Sequence, residues 1–268
     1  MPKRPDGGLI WARPEPGVRK PRFSREKIAA AALEIADTEG IEAVSMRRVA
    51  GSLGAAAMAL YNYVRTKDDL LALMHDAIMG EVLVPDEDLP QDWRAAVTVI
   101  ARRVRDVLVR HPWAVAMQEV QPGPNAMRRF EQFLGAVSGS GLDTAQKLDL
   151  LAVLNAYVFG NALITVESRM RAEFAAADPS AVEEIMGFAA ELMQSGEFPN
   201  TAKLLAEGQG AQIGDTGEGG ASGGRGAASP PLAEDDVEQQ FLRGLEAVLD
   251  GLVARFAAAP RPEGTAGA

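Results

Sequence analysis

From Phe23 onward the apolar residues recur at helical spacing, and no segment alternates with a period of two, so the chain reads as all-α. Ser24 is placed to cap IAAAALEIA, Phe23 before it can staple onto Ile28, and Gly40 stops the helix. The same grammar returns when Ser45 caps MRRVAGSL, with Val44 and Val49 as a second staple and Gly54 closing the helix after a few residues. A short third helix, AAMALYNY, follows. Thr66 then caps a fourth, with Asp69 at its third position, running from Lys67 to near Val84 before Pro85 and Pro90 break it. Beyond these, the pattern predicts helices at 91–110, 113–120, 124–139, 143–174, 179–195, a short piece after Pro199, and 234–257.

Three segments lack this periodicity. Residues 1–22 hold five prolines and six Lys/Arg and read as a flexible basic arm. Residues 208–231 carry 9 of the 27 glycines and read as a flexible linker, and 258–268 read as a disordered tail. The predicted organisation is therefore a three-helix head at 23–69 and a larger helical body at 70–257, joined by the long fourth helix.

Charge changes the picture because it is unevenly spread. Residues 1–67 carry 12 Lys/Arg and 7 Asp/Glu, against a net charge of -10 for all 268 residues. A basic front on an acidic body suits a modular DNA-binding protein, since phosphate attraction acts within a Debye length of about 10 Å. With no cysteine, disulfides, cysteine-ligated zinc, iron–sulfur clusters and thiol nucleophiles are excluded. Apolar runs are read as broken by charge within about ten residues, short of a bilayer span, and MPKRPDGGLIWARPEPG has no leader-like apolar core. The expectation is a cytoplasmic protein that does not engage a membrane.

Within the head, Ala50 is a small residue where the second helix must closely approach the third. Gly54 lies four positions on, where a tight turn favours a left-handed backbone, and Leu60 lies six after that. Small, glycine, large apolar at these offsets is the packing skeleton of a helix-turn-helix, whose second helix lies in the major groove.

FSREKIAAAALEIADTEGIEAVSMRRVAGSLGAAAMALYNYVRTKDDLLALMHDAI resembles the head of the tetracycline-repressor (TetR) family of transcriptional regulators, most specifically in LYNYVRTKDDLL. The closing FLRGLEAVLDGLVARF and the glycine-rich stretch before it resemble the branch with a tetracycline-repressor-like C-terminal domain. The resemblance implies a repressor that binds a palindromic double-stranded DNA operator as a homodimer and is released by a small-molecule effector. It implies that Arg47, with Ser45 and Arg48 beside it, reaches a base edge or phosphate, that Ala57, Met58 and Tyr61 face the bases, and that Tyr63 and Lys67 hold the backbone. An arginine fork suits guanine, and a lysine at a helix start suits phosphate. One departure is the run Ala55, Ala56, Ala57, Met58, Ala59, where the family usually places a serine or threonine.

In the body, LLAVLNAYVFGNALITV (150–166) is apolar almost all round, the pattern of a helix buried on every side. The last helix carries a stripe with Gly244 and Gly251 a heptad apart. These helices are expected to form the dimer interface through Leu151, Val158, Phe241, Leu245, Val248, Leu249 and Leu252. His111, Trp113, Met117, Asn155, Phe159 and Asn161 are the candidate effector pocket, suited to a largely apolar molecule. The position of the magnesium-binding histidine of tetracycline-binding members falls near Leu83, which argues against tetracycline–magnesium. No cofactor or metal is called for, since His75 and His111 stand in no metal-ligand spacing and no phosphate loop or nucleophile elbow appears. Two other classes remain: an effector-independent DNA-binding protein, which predicts no cavity in the 90–175 region, and, more remotely, an all-α enzyme.

Overall fold

A computed structural model describes residues 9–15, 23–117, 122–204 and 234–258. The expected linker at 208–231 and the tail from 259 lie outside them, as do residues 1–8 and 16–22 of the arm. Every regular element among the described residues is helical, and the chain divides into two compact units, residues 1–166 with 238–268, and residues 167–237.

The first unit begins with the head: α1 (Arg25–Glu39), α2 (Met46–Ser52), α3 (Ala57–Leu60) and α4 (Lys67–Val82). Each cap acts where the sequence places it. Ser24 Oγ accepts from the Lys27 amide at 3.3 Å, Ser45 Oγ from Arg48 at 3.3 Å, and Thr66 Oγ1 from Asp69 at 3.0 Å. Gly40 and Gly54 take φ of 88° and 63°, the left-handed side that a Cβ disfavours. Ile28, Val44, Val49, Ala50, Leu60 and Leu70 close the interior of the head.

Five prolines and six basic residues suggest an arm without structure, and part of it is docked instead. Ile10 is 0% exposed within a 3-10 turn, Ile10–Ala12. Arg13 Nη2 lies 2.5 Å from Asp69 Oδ1, and its carbonyl accepts from Arg25 Nη2 at 2.9 Å. Asp69 Oδ2 meanwhile accepts from the Arg65 amide at 3.0 Å, one residue outside a capping box. Burying Ile10, with Trp11 half-buried beside it and Arg13 paired to α4, outweighs the composition around it.

The body adds α5 (Trp93–Arg110), capped by Asp92, then a 3-10 turn at Pro112–Ala116 where a helix over 113–120 was expected, and α6 (Pro124–Ala136). Then come α7 (Thr144–Ala177) and α9 (Glu234–Ala258), with α8 (Pro179–Gln194) between them in sequence. Asp76 on α4 holds the start of α6, its Oδ1 accepting from the Asn125 amide at 2.8 Å. A side chain at Gly123 would collide with that carboxylate and the Trp11 ring. In the second unit, Asp178 caps α8 and Gly196 (φ 77°) follows its end, with 199–204 helical again.

α7 corrects two expectations. It is long and apolar enough to cross a membrane by length and composition, with a mean hydropathy of 1.5 over its best window, so the apolar runs are not uniformly short. Nor is it buried all round: Leu150, Leu154, Val158, Ala162 and Thr165 are buried, a stripe at spacings of three and four, whereas Leu148, Val153, Leu163 and Ile164 are exposed. A single protomer supplies packing partners for one face only.

Candidate nucleic-acid interface and ligand cavity

The head presents α3 outward. Leu60 is buried beneath it, so the residues around it point away: Met58 is 76% exposed, Tyr61 is exposed and Ala57 half-buried. Arg47 and Lys67 are exposed at the starts of α2 and α4, where a guanidinium and an ammonium can reach bases and phosphates. Three expected DNA-contacting residues have other engagements. Ser45 is exposed with its hydroxyl acting as the α2 cap, Arg48 pairs with Glu39 at 2.5 Å, and Tyr63 is buried.

His111 and Trp113 do not join a pocket. Both turn toward α1, where His111 Nδ1 lies 2.8 Å from Asp37 Oδ1 and Trp113 Nε1 donates to the same oxygen at 2.7 Å. A carboxylate only accepts, so His111 carries a proton on Nδ1. Its Nε2 lies 3.3 Å from Glu81 Oε2 at the end of α4, which also pairs with Arg110 at 2.5 Å. These residues form a polar junction between head and body. Their aromatic character suggests a ligand wall, but two buried ring N–H groups need acceptors, and Asp37, distant in sequence, supplies one for both.

A cavity of about 390 Å³ lies between α4, α5, the 3-10 turn and α7, lined by His75, Ile78, Met79, Leu108, Ala114, Met117, Asn155, Ala156 and Phe159. Of the expected set, Met117, Asn155 and Phe159 are there. Asn161 is not, since its Oδ1 accepts from Arg105 Nε at 2.8 Å. The α4 wall was missed, although His75, Ile78 and Met79 stand at i, i+3 and i+4, one helix face in the sequence. His75 Nδ1 is sealed from solvent and has no hydrogen-bond partner. Burial holds its pKa below the ordinary value, with the Asp76 carboxylate opposing and the Arg129 charge adding to the shift.

Residues 28–74 match the family model for bacterial regulatory proteins of the tetR family, and residues 84–219 match that for the tetracyclin repressor-like C-terminal domain. A curated HTH-type transcriptional regulator of Saccharopolyspora erythraea is 39% identical over 180 residues, covering 66% of this chain and 75% of that protein. The chain belongs to the TetR family of transcriptional regulators. It is a regulator and not an enzyme. The HTH-type transcriptional repressor DrrR1 of Streptomyces coeruleorubidus is 34% identical over 209 residues, 73% of this chain and 74% of that one. Among solved structures, ActR of Streptomyces coelicolor in complex with actinorhodin superposes with a TM-score of 0.64 at 27% identity, covering 89% of this chain and 99% of that one.

For a TetR-family regulator the faces left open by the protomer matter, and they differ from those expected. Val158, Phe241, Leu245 and Leu249 lie in the protomer's own core. Tyr157 stacks on Phe241 with ring centroids 5.6 Å apart and donates to its carbonyl at 2.8 Å. Gly244 permits this contact, because a Cβ there would strike the Tyr157 hydroxyl. Leu151, Val248 and Leu252 remain only half-buried. The stripe of α9 is real, but the protomer uses it.

Proposed function

We propose that this chain is a ligand-responsive repressor, working in the cytoplasm, that binds a two-fold symmetric DNA operator as a homodimer and releases it when a small organic molecule occupies the cavity. The observation that carries this reading is that one helix serves both sites. α4 begins with Lys67 at the head and contributes His75, Ile78 and Met79 to the cavity about two to three turns later. A ligand that shifts the far end of α4 therefore changes where the near end holds the head, and with it the spacing of two heads on DNA. A cavity in this region favours ligand response over an effector-independent DNA-binding protein. The solved complex of ActR with actinorhodin supports the same reading from a relative. Arg47, Met58, Tyr61 and Lys67 make the DNA contacts, and the exposed face of α7 with Val248 and Leu252 of α9 forms the dimer.

The test begins by selecting bound fragments from the organism's own DNA. On the operator so found, Arg47→Ala should weaken binding by about 1 to 3 kcal/mol, with far less effect on random DNA. A compound that lowers operator affinity a hundredfold supplies about 2.7 kcal/mol of coupling. Ala156→Trp, which fills the cavity, should bind DNA normally and ignore that compound. Release that persists in Ala156→Trp would place the ligand elsewhere.

A further inference from the structure

Behind the wall of the cavity stands a cation that no anion matches. Arg129 on α6 is half-buried, yet its Nε is sealed from solvent with no hydrogen-bond partner. Its Nη2 donates to Asn155 Oδ1 at 2.6 Å, and no carboxylate pairs with it among the described residues. A guanidinium does not readily discharge, and leaving one buried without a counter-charge is costly. Because a guanidinium only donates, Asn155 must turn its oxygen to Arg129, which leaves its two amide N–H groups for the cavity it lines. His75, which lines the cavity, also carries a sealed, unpartnered nitrogen. Asn155 and Arg129 also border a crevice of about 20 Å³ between α5, α6 and α7, room for roughly one water-sized atom. Apart from His75 and Asn155, the residues that line the cavity are apolar, and Arg129 stands behind Asn155.

We propose that the effector is an apolar anion: a hydrocarbon or aromatic body that fills the cavity and one acidic oxygen group, such as a carboxylate, that accepts from the Asn155 amide with the Arg129 guanidinium directly behind it. This rests on the reading of the chain as ligand-responsive. It refines the largely apolar ligand that the sequence suggests into one whose charge completes an unpaired site. The net charge of the chain is -10, so its overall field repels anions and any preference for one must arise locally.

Two fluorescent probes that share an aromatic body and differ by one sulfonate test the assignment on the full-length protein without DNA: anilinonaphthalene sulfonate and neutral N-phenylnaphthylamine. The wild type should bind the sulfonate at least about tenfold more tightly, the scale of one charge-assisted hydrogen bond. Arg129→Met should erase that preference while leaving the neutral probe bound as before, and Arg129→Lys should restore much of it. Replacing an unpaired buried cation by an apolar side chain of similar size is neutral or stabilising, and retained binding of the neutral probe reports an intact cavity. Ala156→Trp should abolish both signals. Equal affinity for the two probes in the wild type, or a preference that survives in Arg129→Met, overturns the anion assignment alone. If Ala156→Trp leaves both signals unchanged, the cavity takes neither probe, and the ligand-responsive reading falls with the assignment.

Discussion

Trp113 donates its indole N–H to Asp37 Oδ1 at 2.7 Å across 76 positions of sequence, and His111 holds the same oxygen at 2.8 Å. One carboxylate on α1 thus satisfies two buried N–H groups from the body. Asp37→Ala should cost about 2 to 3 kcal/mol in urea unfolding, because it strands both donors. Trp113→Phe should cost only about 1 kcal/mol, since His111 keeps Asp37 partnered. Equal costs for the two variants would mean that the shared acceptor is not what holds the junction.

The docked segment makes a separate claim about the N-terminus. Ile10→Ala should cost about 2 to 5 kcal/mol, as for other fully buried aliphatic truncations. Arg13→Ala should be milder than Ile10→Ala, because Asp69 retains the Arg65 amide and the Thr66 turn. Thermal melts decide: an Ile10→Ala protein as stable as the wild type would show that this segment does not brace α4 in solution.

The head was legible because its signals are local. Caps and left-handed glycines act within a few residues, so Ser24, Ser45, Thr66, Gly40 and Gly54 could be read without knowing any tertiary contact. What the sequence obscures is long-range. Buried Ile10 and half-buried Trp11 are hidden among prolines and basic residues, and Arg13 beside them finds its partner Asp69 56 positions away. His111 and Trp113 have the character of pocket residues until Asp37 is seen to claim both. Arg129 was the readable signal that went unused, an arginine four positions before buried Phe133 on the same face of α6.

His75 makes stability pH-dependent with a definite sign. Burial favours its neutral form in the folded protein, so below the ordinary 6.5 the unfolded chain binds the proton more readily. Stability should therefore fall as pH falls through 6.5 toward the lower folded value. Asp76 acts in the opposite sense and lower down: burial raises its pKa, so its contribution is lost as pH climbs from 3.8 through the raised value. His75→Leu should flatten the decline in the urea midpoint between about pH 7 and pH 5 and leave the Asp76 effect in place. A variant with the wild-type slope in that window would assign the decline to other groups.

The dimer gives the sharpest contrast between two substitutions with the same chemistry. Ile164 is 61% exposed on α7, on the face shared with Val153 about three turns before it. Leu249 is 3% exposed inside the protomer. A stable homodimer needs roughly 800 Å² from each partner, and exposed Leu148, Val153, Leu163 and Ile164 of α7, with half-buried Val248 and Leu252 on α9, supply apolar area for it. Ile164→Asp should then yield a folded monomer, with a wild-type helical circular dichroism spectrum and half the mass by light scattering. Leu249→Asp should instead lose the fold, because the charge has no water and no partner in the core. Since one operator half-site gives only part of the contact, the Ile164→Asp monomer should also lose most operator affinity while each head keeps its weak nonspecific binding. An Ile164→Asp protein that remains dimeric at micromolar concentration would move the interface off this face of α7.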